Sequence, residues 1–135
     1  LRFGAVGCGY WAFGSAGGNR GTSWNAYDQD AVEYSPLFIG KDSVTAGKHM
    51  EGIREGVQDY EYFVMLRKRV AALKAKGVAN PALAEATALL TAGPLRVTDA
   101  IIAQGGVGWA RVRDRTIMDE VRIQVLDALL ALKRL

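Results

Sequence analysis

Gly4, Gly7, Gly9, Gly14, Gly17, Gly18 and Gly21 crowd the first 21 residues of a 135-residue chain. Glycine at that density weakens the interior of a helix or a strand, so the first third is expected to be rich in loop, with the regular structure supplied by the remaining two thirds. Residues 1–6 are too few to show a period and could be the end of a helix or the start of a strand. Gly9 to Phe13 is aromatic, uncharged and bounded by glycines, which predicts a short buried strand. From Gly14 to Asp42 there is little periodicity. Gly17-Gly18-Asn19, Gly21, Asn25 and Pro36 interrupt it, and Trp24, Tyr27 and Tyr34 lie among them. A loop of this length in a compact domain tends to be functional or disordered, and this one carries enough aromatic surface to be ordered.

Beyond the glycine-rich third the spacing becomes helical. Met50, Ile53, Val57, Tyr60 and Val64 recur at three and four residues, which predicts a helix from about Thr45 to Lys76. A second stripe on the same helix starts as Glu51, Glu55 and Asp59 and continues as Tyr62, Leu66, Val70 and Leu73. A face that turns from carboxylates into aliphatics is not expected to be wholly solvated. Gly52 and Gly56, four apart, each weaken the helix by about 1 kcal/mol relative to Ala, which predicts close approach by another backbone. Asn80-Pro81 is a capped start, and the helix it opens is expected to stop at Gly93-Pro94. Leu95 to Gln104 then makes a third helix, stopped by Gly105-Gly106. The last helix, from about Asp114 to Leu135, carries Ile117, Val121, Val125, Ala128 and Leu132 on one face.

Composition removes several classes. A hydrophobic fraction of 50% with 23% charged residues is ordinary for a globular domain and excludes a disordered chain. No apolar run approaches the length of about 18 residues that would span a bilayer, so no membrane is expected as a partner. The single cysteine, Cys8, rules out an internal disulfide and a multi-cysteine zinc site. Seventeen basic against 14 acidic residues, spread over the whole length, do not form the concentrated basic face of a nucleic-acid binder.

Several local patterns invite a chemical reading. Gly7-Cys8-Gly9-Tyr10-Trp11-Ala12 has dinucleotide-binding spacing, but that chemistry needs a helix to open at the turn and an acid about 20 residues on at a strand end. Gly14 to Asn19 is a poor helix, and Asp28 and Asp30 follow no apolar strand, so no cofactor is expected. The adjacent carboxylates Asp119-Glu120 could act as polariser and general acid in glycoside cleavage. They fall off the apolar face of the last helix, with Arg122 and Arg115 in pairing range, so a solvated face is the better reading. His49, the only histidine, has no serine or cysteine context and is expected to hydrogen-bond a neighbour. Tyr10, Trp11, Trp24, Tyr27 and Tyr34 offer flat faces that stack on sugars or on one another; burial is favoured for Trp11, a ligand groove for Trp24. In the segment from Met50 to Tyr62, Arg54 can reach Glu51, whereas Glu55 and Asp59 need partners from elsewhere.

The order Glu51-Gly-Ile-Arg54-Glu55-Gly56-Val-Gln-Asp59-Tyr60-Glu61-Tyr62, after Gly7-Cys8-Gly9-Tyr10-Trp11 and a loop holding Trp24-Asn25 and Tyr34, resembles the C-terminal end of the glycoside hydrolase family 123-like catalytic domain, also called domain of unknown function 4091. The likeness covers about residues 7 to 70. It implies an α/β fold, the C-terminal portion of a (β/α)8 barrel, mostly helical in this chain with one or two short strands. Residues 1–76 would hold the last barrel strand, its long loop and the last barrel helix, and 77–135 a C-terminal helical extension. A whole barrel needs roughly 250 residues, and with Leu1 in place of a methionine the chain is expected to be part of something larger. The resemblance also implies a carbohydrate substrate, with N-acetylhexosaminides as one class, contacted by Trp11, Trp24, Tyr10 and Tyr27. Glu51, Arg54, Glu55 and Asp59 would serve as structural ion pairs. The catalytic Asp-Glu pair would lie in the upstream part of the barrel, the expected partner of this chain, so none of its own residues is assigned catalysis. The alternative is a non-catalytic helical module that binds carbohydrate or protein.

Overall fold

A computed structural model describes residues 1, 2, 4, 7, 37–105 and 114–135, without the Lys48 side chain. The described elements are mostly helical: strands β1 (Leu37–Ile39) and β2 (Val44–Ala46), then helices α1 (Lys48–Ala75), α2 (Pro81–Ala103) and α3 (Thr116–Lys133). The chain forms two compact units, Gly7–Gln58 and Leu1–Val6 with Asp59–Leu135, so α1 begins in one and ends in the other. The strand expected over Gly9 to Phe13 lies outside the described residues.

In the first unit β1 and β2 pair antiparallel, with Leu37 opposite Ala46, Phe38 opposite Thr45 and Ile39 opposite Val44. The Gly40 N–H donates to the Ser43 carbonyl at 2.8 Å across the turn. A Cβ on Gly40 would sit 2.7 Å from Ser43 Oγ, so any side chain there would make the Ser43 hydroxyl rotate away. Neither strand was expected, and Thr45, placed at the start of the long helix from its sequence, belongs to β2. Three residues are too short to display an alternation. The helix begins at Lys48, with the Glu51 N–H on the Gly47 carbonyl at 3.2 Å.

The second unit is a three-helix arrangement around Phe63, Leu66, Val70, Leu73, Leu83, Ala86, Val121, Val125 and Leu132, all buried. On α1 it is the stripe through Leu66, Val70 and Leu73 that faces this core. The other stripe is partly exposed, and Val57 keeps 51% of its surface in contact with solvent. Its regular spacing marks a helix without saying which face finds a partner. The predicted face of α3 is the buried one: Val121, Val125 and Leu132 are in the core, with Ile117 and Ala128 packed against it.

Two expectations fail. Gly93-Pro94 does not end a helix; α2 runs through both as 23 continuous residues. Proline inside a helix removes one N–H and crowds the carbonyl four residues back, at about 3 kcal/mol. Yet Leu83, Ala86, Gly93 and Pro94 are the buried positions of α2, so breaking the helix there would expose the face that joins it to its neighbours. At Gly93 all three helices come close together, since an added Cβ would lie 3.1 Å from Phe63 Cζ on α1 and 3.1 Å from Val121 Cγ1 on α3. By contrast Gly52 and Gly56 have no atom within 4 Å of an added Cβ. Among the described residues no backbone approaches them, and the close contact sits at Gly93 instead.

The ends of the helices are chemically specified. Asn80 caps α2 by accepting from the Ala82 N–H at 2.8 Å, with Pro81 in the first turn as predicted. Gly77, at φ +69°, and Gly105, at φ +87°, take the left-handed turns that follow α1 and α2. The Arg69 guanidinium donates from Nε and NH2 to the Leu132 carbonyl at 3.1 and 2.8 Å, placing a cation at the negative end of α3. Arg122 of α3 meets Asp59 of α1, and Leu132 meets Arg69, ten residues further on each helix. These two helices therefore run parallel, with α2 antiparallel to both.

Candidate functional site

The segment Glu51 to Tyr62 occupies three turns of α1, and its helical spacing decides which of its charges meet. Arg54 Nε donates to Glu51 Oε2 at 2.7 Å, and its NH1 donates to Gln58 Oε1 at 3.2 Å. About half of each charged side chain in the Arg54–Glu51 pair is exposed, and ion pairs of this kind contribute at most about 1 kcal/mol. Glu55 lies half-buried on the same face.

Asp59 is placed differently. Its carboxylate receives Arg122 Nε at 2.5 Å on Oδ1 and NH2 at 2.9 Å on Oδ2, a two-pronged bond between α1 and α3. The two side chains are only 22% and 25% exposed, and paired donors of fixed geometry make this one of the stronger kinds of polar contact. Arg122 NH1 also lies 3.4 Å from Asp119 Oδ1. Sequence spacing gives no sign of the Asp59–Arg122 bond, because its partners are 63 residues apart. The only available clue was indirect: a carboxylate on a helix face that turns aliphatic requires a cation.

Beside this pair lies a cavity of about 230 Å³ in the helical unit. Tyr62, Phe63, Pro94, Val97, Val121 and Val125 give it apolar walls, and Asp59 with Arg122 stands at one edge. At another edge Arg2 NH1 donates to Thr98 Oγ1 and to Asp99 Oδ1, each at 2.5 Å. Apolar walls with a few polar groups at the rim suit binding of a small apolar group. The charged groups at the rim are engaged with one another, and among the described residues the lining includes no histidine, cysteine or serine. Among the described residues no group of three or more His, Cys, Asp or Glu could hold a metal ion.

Asp119 and Glu120, the adjacent acids of α3, are exposed, as a solvated face requires. Glu120 Oε2 lies 3.6 Å from Arg96 NH2 on α2, and Asp119 meets Arg122. His49 lies in the first turn of α1 and is partly buried. Trp11, Trp24, Tyr10 and Tyr27, the residues expected to contact a sugar, lie outside the described residues, as do Cys8 to Ala12 of the dinucleotide-like glycine motif. No described helix is long and apolar enough to cross a membrane. No protein-family model, curated protein or solved structure matches the chain.

Proposed function

We propose that the chain is the C-terminal portion of a glycoside hydrolase family 123-like barrel protein that acts on carbohydrate, with N-acetylhexosaminides as the leading substrate class. The observation that supports this reading is the order Glu51-x-x-Arg54-Glu55-Gly56-x-x-Asp59-Tyr60-Glu61-Tyr62, carried on one uninterrupted helix. In this reading Trp11, Trp24, Tyr10 and Tyr27 stack on sugar rings, whose C–H faces suit aromatic planes. Glu51, Arg54, Glu55 and Asp59 hold structure, and the catalytic carboxylates belong to strands outside this chain. Titration with N-acetylhexosamine oligosaccharides, followed by tryptophan fluorescence, tests it. Saturable quenching that is lost in Trp11→Ala or Trp24→Ala and kept in Trp109→Ala is the expected result. An unchanged spectrum at millimolar sugar sinks the proposal. The chain alone is expected to leave aryl N-acetylhexosaminides uncleaved.

One observation favours a second reading, a non-catalytic helical module. The Asp59 carboxylate is neutralised from within the chain by Arg122, and α1, α2 and α3 bury nine hydrophobic residues together. A module of this kind that binds protein would leave the fluorescence titration flat, and one that binds carbohydrate would show quenching without belonging to a barrel.

A further inference from the structure

Helix α3 is apolar on two opposite sides. Val121, Val125 and Leu132 are buried, whereas Ile123 is 58% and Leu130 60% exposed. At about 100° per residue, Asp119, Ile123, Leu126, Leu130 and Lys133 fall within an arc of about 80°. That arc points away from the core. The two flanks of α3 are already taken: Arg122 reaches Asp59 on α1, and Glu120 and Gln124 meet Arg96 on α2. Isolated exposed aliphatics need no explanation, but two of them seven residues apart, with the partly buried Leu126 between, form a seam.

The seam is its own complement. Leu126 stands at its centre, with Ile123 three residues before and Leu130 four after, and with Asp119 seven before and Lys133 seven after. We propose that this face of α3 is the contact for a second copy of the same chain, laid antiparallel about a two-fold axis through Leu126. In that register Leu126 meets its own copy, Ile123 of one chain packs on Leu130 of the other, and Asp119 faces Lys133 at both ends. A parallel arrangement would set Asp119 against Asp119 and Lys133 against Lys133, so the charges select the antiparallel one. The contact is about 21 Å long and smaller than a permanent interface, which places it among reversible associations. Asp127, at the edge of the seam nearest α2, approaches its own copy across the axis and holds the affinity down.

Sedimentation velocity of the full chain over a range of concentrations, at low and high salt, tests the proposal. The expected result is a reversible monomer–dimer equilibrium that weakens with salt. Ile123→Gln and Leu130→Gln abolish it while leaving the circular dichroism unchanged, since both side chains are exposed. Asp119→Lys and Lys133→Glu each weaken it about fivefold, because each altered pair occurs twice by symmetry. The double variant Asp119→Lys with Lys133→Glu recovers it, and Asp127→Asn tightens it. A chain that stays monomeric at about 1 mM, a range chosen to reach even weak affinities, overturns the proposal. So does a dimer indifferent to Ile123 and Leu130, or a double variant no better than either single one.

Discussion

Gly93 and Gly56 are both glycines inside helices, yet replacing them has opposite consequences. Alanine at Gly56, where the surroundings are open, adds helix propensity and meets nothing; Gly56→Ala is expected to raise stability by about 0.5–1 kcal/mol. Alanine at Gly93 makes the same local gain but drives a methyl to 3.1 Å from Phe63 and Val121, two side chains fixed in the core. Crowding a packed interior costs about 1–3 kcal/mol, so Gly93→Ala is expected to be destabilising. Urea unfolding of the two variants checks the difference in sign. Asp114 offers a second test at this scale. Hydrogen bonds from the Thr116 hydroxyl and then its backbone N–H, the latter at 2.9 Å, hold the Asp114 carboxyl below its ordinary range. A carboxylate whose pKa falls on folding adds stability above its unfolded pKa of about 3.9, and that stability is lost as pH falls through the lower folded value. The margin by which the native chain exceeds Asp114→Ala in stability should therefore shrink as pH falls from about 6 toward the acid range. A gap of constant size across that range would show that the charge plays no part.

The bond from Asp59 to Arg122 is the ion pair that ties α1 to α3. Removing one partner leaves the other charge three-quarters covered without its two-pronged bond, so Asp59→Asn and Arg122→Met should each cost more than half of what the double variant costs. The coupling expected from a double-mutant cycle is about 1–2 kcal/mol, reduced from the fully buried case by the residual exposure. Elements also show what could be read before folding. The start of α2 was visible in Asn80-Pro81, because a cap and a preset φ act within two residues. The buried face of α3 was visible because its period is sustained over four turns. The continuity of α2 through Pro94 was not, since local rules weigh the lost N–H and not the neighbours that hold the helix closed. The candidate site divides in the same way: Arg54 was expected to reach Glu51, three residues away, and does. Arg122 as the partner of Asp59 depends on the path of the chain across 63 residues, on which spacing is silent.

On the scale of the molecule, the nine buried hydrophobics come from all three helices and form a single cluster in the helical unit. Leu66, with no exposed surface, sits within it. Leu66→Ala should cost about 2–5 kcal/mol through lost contacts and an unfilled cavity. Far-ultraviolet dichroism and tyrosine fluorescence should follow one shared transition in that variant as in the native chain. Separate midpoints would mean that the helices do not depend on one another.

Gln104 clasps the last connection: its side-chain amide donates to the Asp114 carbonyl at 3.2 Å, and its Oε1 accepts the Asp114 N–H at 2.8 Å. The two ends of residues 105–113 are thereby fastened to each other by a single side chain, whatever the residues between them are. Closing a loop whose ends are already joined depends only weakly on its length, by about 0.6 kcal/mol for each doubling. The connection is therefore a natural point for evolution, or an engineer, to splice in a foreign peptide without disturbing the bundle on either side.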